Sequence, residues 1–495
     1  MNQAMRIAFV VLLTAACAPS GGTPGGASSD MALAAGPKHV VLVVIDSLRA
    51  DHVGAYGYDQ PTTPNLDALA QESVVYRRAY AGSSARGQSL SALWTGRLPS
   101  SGGAIGLREA TPHPDLLTLP RLFLRTGFRT GLVSNDPTLR ERTFTRGFDD
   151  VEVDSTPGRW TGGLVTEKAL EMFDAAGDER VFLTVGYADA GEPHFPLMEY
   201  RERIDAPYPE ELLSIPNMRG FARKLPAGIE TSPGFLDLVA RYDAEVAYVD
   251  ACLGALVDGL EERGVLDDTL LIVTSSHGVE FLDHGYVSTS WTLYEEMLRV
   301  PLVVRAPGLD AGAVSAPVSL VDVLPTLRDT SGLRPGEQTA DGRPFLTAHG
   351  RHIGAREPTG AVLAELVIPE LAILRAAIRG DAKLIEVVKG APPQHRANLE
   401  AGYDNLIAAM LDGTTPRPDP WGEPVSRELY DIGADPGETT DLSATWLDRL
   451  EALRAGLSAY ADHCRSSAPP PRTAARRAEP PDPAAAAALQ QLGYL

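Results

Sequence analysis

Short apolar runs punctuate the chain, and each one stops abruptly at polar residues. Val40–Ile45 ends at Asp46, and Arg129–Val133 ends at Ser134-Asn135-Asp136. Val181–Tyr187 leads into Asp189, Leu270–Thr274 leads into Ser275-Ser276-His277-Gly278, and Val300–Val304 follows. Their length and branched composition predict buried strands. Between Tyr187 and Leu270 the period changes. Val239, Tyr242, Val246, Val249, Leu253, Leu256 and Leu260 are spaced by alternating three- and four-residue steps, which places them on one face of a long helix. Arg263-Gly264 is a C-terminal stop for it. Strands alternating with helices predict an α/β fold with a doubly wound, mostly parallel central sheet, and a site outside the carboxyl ends of its strands. From about residue 355 the runs shorten and crowd together: Ala361–Leu366, Ile373–Ile378, Lys383–Val388 and Glu428–Ile432, then a helical pattern over Thr445–Asp462. That pattern predicts a small C-terminal α+β subdomain with an antiparallel sheet.

The 495 residues allow one large domain and a smaller one, and a formal charge of -21 excludes nucleic acid as a partner. Arg6, the apolar Ile7–Leu13 and Thr14-Ala15-Ala16-Cys17 read as a secretory signal over 1–17. Small residues before Cys17 resemble a bacterial lipoprotein cleavage box, which would make Cys17 the lipidated residue; a plain secretory signal is the alternative. The apolar run is too short to span a bilayer, so membrane association would come through the lipid anchor alone. Residues 18–36 suit a flexible tether, 37–350 the large domain, 351–464 the C-terminal subdomain, and 465–495 a Pro/Ala-rich tail. This organisation predicts a bacterial cell-envelope protein, lipid-anchored on the periplasmic face or outer membrane, or secreted. Cys252 and Cys464 imply no disulfide framework.

Ordered strings along the chain carry a family resemblance. IDSLRADHVGAYGY, TTPNLDALAQESVVYRRAYA, SALWTGRLP, YDAEVAYVDACLGALVDGLEERGVLDDTLLIVTSSHG, LYEEMLRVPLVVRAPG, VSLVDVLPTL and RELYDIGADPGETTDL follow one another in register, with LGYL at the end. The chain resembles a sulfatase of the alkaline-phosphatase superfamily over nearly all of its mature length. The resemblance implies the sandwich fold of that superfamily. In active members it also implies sulfate-ester hydrolysis with a calcium-like or magnesium ion and a formylglycine nucleophile; related members use Ser or Thr on phosphate esters.

Carried over residue by residue, the resemblance gives a depleted site. Asp46 matches the first metal carboxylate, with Ser47 at the position of a second. Ser276 stands where another metal carboxylate belongs, leaving His277 beside it. One carboxylate and one imidazole make a poor cage for a hard cation, which takes several oxygen ligands, so Ca2+ or Mg2+ is a doubtful expectation here. The nucleophile position falls at Arg86, with Gln88 in place of a Pro and Leu90 in place of an Arg. A guanidinium is neither a precursor of formylglycine nor a nucleophile, so formylglycine is not expected. Ser84 and Ser89 are the alternative nucleophiles. The sulfate-binding His expected after Asp189 is replaced by Gly191, with His194 three residues later; His284 keeps a family-like position, and Thr289 or Ser290 replaces a Lys or His. Asp189, His194 and His284 are the candidate substrate-binding residues.

Loss at four sites while the packing strings stay in register predicts a catalytically inactive pseudo-sulfatase, with a sulfated or phosphorylated glycan as its partner. In that reading Arg86 either holds the anion or pairs with Asp46 in place of the metal. The alternative is an active metal-dependent sulfate or phosphate ester hydrolase, with Asp46 and His277 holding the ion, helped by Asp189, Asp283 or His284, and Ser84 or Ser89 attacking.

Overall fold

The run His39–Ile45 forms β1, whose seven residues are all buried. A strand covered on both faces has no polar side to show, which is why it reads as an unbroken apolar run. The computed structural model describes residues 36–106, 110–155, 160–209, 228–331, 340–346, 360–368, 372–389 and 421–467. The signal segment with Cys17, the tether before residue 36 and the tail beyond 467 lie outside the described residues.

Eight strands of the described residues form the main sheet: β1, β2 (Val74–Tyr76), β3 (Arg129–Ser134), β4 (Asp150–Val153), β5 (Val181–Tyr187), β6 (Thr269–Ser275), β7 (Leu302–Arg305) and β8 (Gly312–Val314). Their spatial order is β8-β2-β7-β6-β1-β5-β3-β4. β1 lies at the centre, parallel to both β5 and β6, and β3 runs parallel to β5 and β4. The mostly parallel sheet is therefore as expected, with β7 as an antiparallel member against β6 and β2.

Alternate residues of β1 serve opposite layers. Val41, Val43 and Ile45 share a buried cluster with Tyr242, Val246, Val249, Leu253 and Leu256. Those residues belong to the long helix, which spans Pro233–Glu262. Val40, Leu42 and Val44 share the opposite cluster with Leu90, Leu93 and Trp94. These lie on α1 (Arg86–Thr95). The remaining major helices are α2 (Gly162–Ala176), the long helix as α3, and α4 (Leu447–Ser467). α3 starts where Ser232 accepts the Phe235 amide and Pro233 supplies a preset first turn.

The structure departs from the sequence pattern in three places. Val300–Val304 is two strands, not one: Arg299–Val300 pairs with Ala79–Tyr80 in a separate small sheet, and β7 begins after Pro301. A proline has no amide proton to donate to the ladder, so the chain changes sheets there. The short β2 and the half-exposed, acidic β4 lack the long apolar signal and escape a periodicity reading. The last helix runs to Ser467, past the expected start of the tail.

The C-terminal sheet is an antiparallel meander of β9 (Val362–Ile368), β10 (Ala372–Arg379), β11 (Ala382–Lys389) and β12 (Ser426–Asp431). Polar contacts fasten it to the main body. The Gln88 side-chain amide donates to the Val367 carbonyl at 2.8 Å and accepts the Val367 amide at 3.1 Å. Lys383, fully buried on β11, lies 3.0 Å from Glu295 and 3.0 Å from Glu438. Tyr294 donates to Glu428 on β12 at 2.8 Å.

Removing one member of a buried ionic cluster strands its partners without a counter-charge. Lys383→Ala is expected to lose about 3–5 kcal/mol of stability, read by urea unfolding; a loss below about 1 kcal/mol would mean that Glu295 and Glu438 are neutralised without the lysine.

Candidate active site

Asp46 is the first residue past β1, and three strands and α3 fix the turn that carries it. Its amide extends the ladder to Tyr187 O at 2.8 Å. The Leu48 amide donates to Ser275 Oγ at 2.9 Å, the Arg49 amide to Tyr242 Oη at 3.0 Å, and Tyr242 Oη to Ser47 O at 2.9 Å. These bonds hold Ser47 at φ +57°, a left-handed conformation that a side chain with a Cβ disfavours by about 1–2 kcal/mol. Asp46 itself is only 3 % exposed.

Arg86, the first residue of α1, reaches across to it. Its Nε donates to Asp46 Oδ1 at 3.0 Å, and its Nη2 donates to Oδ2 in a closer bond, so the pair is bidentate. Nη1 lies 3.5 Å from Asp136 Oδ1, at the end of β3. Ser276 Oγ donates to Asp46 Oδ1 at 2.9 Å, and Ser47 Oγ to Oδ2 at 3.3 Å. His277 sits behind them with Nε2 3.6 Å from Asp46 Oδ1, while its Nδ1 bonds Gly278 O at 2.7 Å. A carbonyl only accepts, so Nδ1 carries the proton and Nε2 the lone pair. That buried Nε2 has no hydrogen-bond partner.

The charges follow from this packing. Burial pushes the Asp46 carboxyl upward, but the bidentate Arg86 guanidinium, helped by the Ser276 hydroxyl that donates to it, outweighs burial and holds the group below its ordinary range. Burial raises Asp136 against the pull of Arg86, with nearby Asp46 raising it further. Burial lowers the His277 imidazole against the pull of Asp46, so it is neutral.

Gly191 completes the centre by what it lacks. A Cβ there would lie 2.6 Å from Asp46 Oδ2, 3.1 Å from Ala188 O and 3.1 Å from Arg86 Nη2. The pair passes directly over this backbone, leaving no space for the histidine that the family resemblance places at 191.

The residues at the other substituted positions pack. Gln88 clamps β9, and Leu90 is in the core at 1 % exposure. Ser89 donates its hydroxyl to Ser276 O, and Ser84 Oγ is buried without a hydrogen-bond partner. Neither serine is hydrogen bonded to Asp46 or His277, so neither has a base to activate it in this arrangement.

The candidate substrate-binding residues are each hydrogen bonded to other partners. Asp189 accepts from Asn135 Nδ2 at 2.7 Å and from the Gly162 amide at 3.0 Å, serving the start of α2. His194 is buried on Glu245 at 2.5 Å, and burial lowers it to about 4. His284 bonds Glu296 at 2.8 Å and stacks on Tyr294 with centroids 3.5 Å apart. Asp283 is committed to Arg49 at 2.9 Å. The residue that sequence reasoning missed is Asp136. It carries the same signal as Asp46, a carboxylate just past an apolar run, and Arg86 is what joins the two.

A hard divalent ion does not fit the residues present. Both Asp46 oxygens are engaged by a guanidinium, and among the described residues no group of three or more His, Cys, Asp or Glu side chains is placed to hold a metal.

A protein-family profile described as Sulfatase matches residues 38–333. The human N-sulphoglucosamine sulphohydrolase is 28% identical over 469 residues, covering 86% of this chain and 90% of that protein. An N-acetylglucosamine-6-O-sulfatase of Bacteroides thetaiotaomicron is 23% identical over 405 residues, covering 63% of this chain and 71% of that protein. Two solved structures share the fold. One, solved with its substrate D-glucosamine-2-N,6-O-disulfate, superposes with a TM-score of 0.68 at 17% identity, covering 88% of this chain and 99% of that one. The other, a phosphonate monoester hydrolase of Agrobacterium radiobacter, gives 0.64 at 19% identity, covering 88% and 96%.

Crowding at Gly191 yields a direct test of the centre. Gly191→Ala is expected to lose about 1–3 kcal/mol in urea unfolding, because its methyl must displace the Asp46 carboxylate or the Ala188 carbonyl. Unchanged stability would mean that the pair does not lie over residue 191.

Proposed function

This chain belongs to the sulfatase family, and from that premise we propose that it is a cell-envelope member without ester-hydrolase activity, a pseudo-sulfatase whose partner is a sulfated glycan. One observation carries the reading: the bidentate bond of Arg86 to both oxygens of Asp46. Members that hydrolyse esters need a nucleophile, and a metal that orients the ester oxygens. Here the residue at the nucleophile position is a permanent cation, and it covers the carboxylate on which the metal would rest.

The remaining donors do not restore the chemistry. The Ser89 hydroxyl donates its hydrogen bond to a main-chain carbonyl, and the His277 nitrogen that faces the centre is hydrogen bonded to no serine. A sulfated glycan as partner is supported by the relatives: two are glucosamine sulfatases by name, and one structure was solved with a disulfated glucosamine. Arg86 is not counted as the anchor of that glycan, since two carboxylates already face it. Lipidation at Cys17 would hold the protein in the envelope. No helix among the described residues is long and apolar enough to cross a membrane.

The purified chain is expected to give no turnover of aryl sulfate or aryl phosphate above buffer, with or without millimolar Ca2+ or Mg2+. Titration with those ions is expected to release no stoichiometric heat. Metal-dependent turnover abolished by Asp46→Ala would overturn the reading and install the hydrolase in its place.

A further inference from the structure

We propose that Arg121, Arg125 and Arg146 form an anion-binding surface, remote from the closed centre, that grips the sulfate groups of the glycan. The inference rests on the sulfated-glycan partner proposed above and says where on the protein that partner is held.

The cluster lies at the opposite edge of the sheet from Asp46 and Asp136. Arg121 and Arg125 are one turn apart on the short helix Leu119–Arg125, which ends four residues before β3 begins, and Arg146 stands four residues before β4 begins. Thr130, the second residue of β3, donates its hydroxyl to Gly147 O at 2.9 Å. Gly147 has φ +103°, and a Cβ there would lie 2.6 Å from the Arg121 amide nitrogen, so glycine lets the Arg146 loop close against the helix. β3 spans six residues, so about 20 Å of strand separates this edge from the end that carries Asp136.

What holds these guanidiniums leaves their charge intact. Arg146 Nη1 donates to Pro114 O at 2.8 Å, and Arg121 Nη1 donates to Leu116 O at 2.6 Å and to Pro114 O at 3.4 Å. Carbonyl oxygens fix the two side chains without cancelling their charge. Among the described residues, Arg121, Arg125 and Arg146 make no salt bridge, in a chain with 65 acidic residues to 44 Lys and Arg. On the adjoining loops, Asp149 accepts the Thr130 amide at 2.9 Å, and the exposed Asp115 lies 3.8 Å from His113. Partial burial, then Arg146 and Arg125, hold the Arg121 guanidinium below its ordinary range, with Asp115 opposing them. Three like charges kept together repel one another, and a bound anion relieves that repulsion.

A guanidinium carries five N–H donors in a planar fork that matches a pair of oxyanion oxygens. Arg121 and Arg146 each spend one nitrogen on the protein, and Arg125 spends none among the described residues. One fork suits one sulfate; three on one surface suit a polymer that carries several. Such a partner has no need of Arg86, whose charge Asp46 and Asp136 take up.

The test is calorimetric titration of the full chain with a size-defined heparin oligosaccharide and with its desulfated counterpart, at low and at physiological salt. Wild type is expected to bind the sulfated form alone, and more weakly as salt rises. The triple variant Arg121→Gln/Arg125→Gln/Arg146→Gln is expected to lose about tenfold or more in affinity. Should it not fold, Arg125→Glu replaces it, since Arg125 makes no hydrogen bond or ion pair with the rest of the described chain; its expected loss is about three- to tenfold. Arg203→Gln, which removes an exposed guanidinium stacked on Tyr200, is expected to leave affinity unchanged. Unaltered binding by the cluster variants, or an equal loss in Arg203→Gln, overturns the surface while the sulfated-glycan partner stands. Wild-type binding to vesicles of anionic phospholipid but not to heparin, lost in the triple variant, gives the cluster to a membrane and overturns the proposal. Failure of wild type to bind either probe removes the glycan partner itself, and this surface with it.

Discussion

Everything about the centre depends on one requirement: a carboxylate buried at the end of the central strand must have a counter-charge. β1 is covered on both faces, so its continuation at Asp46 enters a region with little water to solvate an anion. In the sulfatase family a metal meets that demand. Here Arg86 meets it from the first turn of α1, in the strongest side-chain geometry open to a carboxylate. The fold around it survives because the electrostatic condition is still satisfied, even though the agent has changed.

The other departures from the family pattern are linked to that exchange. Once the guanidinium lies across Asp46, the backbone at 191 runs under both groups, and a Cβ would lie 2.6 Å from the carboxylate. Ser276, in place of a carboxylate, donates a proton to Asp46 where a second negative charge would have repelled it. Gln88 joins the helix that carries Arg86 to β9, and Leu90 seats the same helix in the core. The substitutions at 86, 191 and 276 are thus three parts of one contact, and those at 88 and 90 hold its scaffold in place.

Much of this was legible in the sequence. The long apolar runs give β1, β5 and β6, and the heptad-like spacing gives α3, because period and length survive in any context. Asp46, Ser276 and His277 are legible as strand-end residues next to one another in a parallel sheet. Arg86 is legible as a cation in the wrong place, and its bond to Asp46 was one of two alternatives that the sequence left open. What was not legible depends on three-dimensional neighbours. Asp189, His194 and His284 look like site residues by order along the chain, but α2, Glu245 and Glu296 respectively claim them. Asp136 looks like any strand end until Arg86 is seen to reach it. β2 and β4 are too short or too acidic for a periodicity to show, and Pro301 splits one apolar run between two sheets.

The clamp between Gln88 and Val367 joins residues 279 positions apart in the chain. At ordinary elongation rates those two residues leave the ribosome roughly 15–55 s apart. During that interval α1 exists without the strand that pairs with its buried Gln88 amide. The residues of the centre, from Asp46 to His277, all precede Val367 in the chain, so the strap on α1 is added only with the C-terminal sheet. A chain that stopped short of residue 367 would carry every residue of the site and lack that strap on α1.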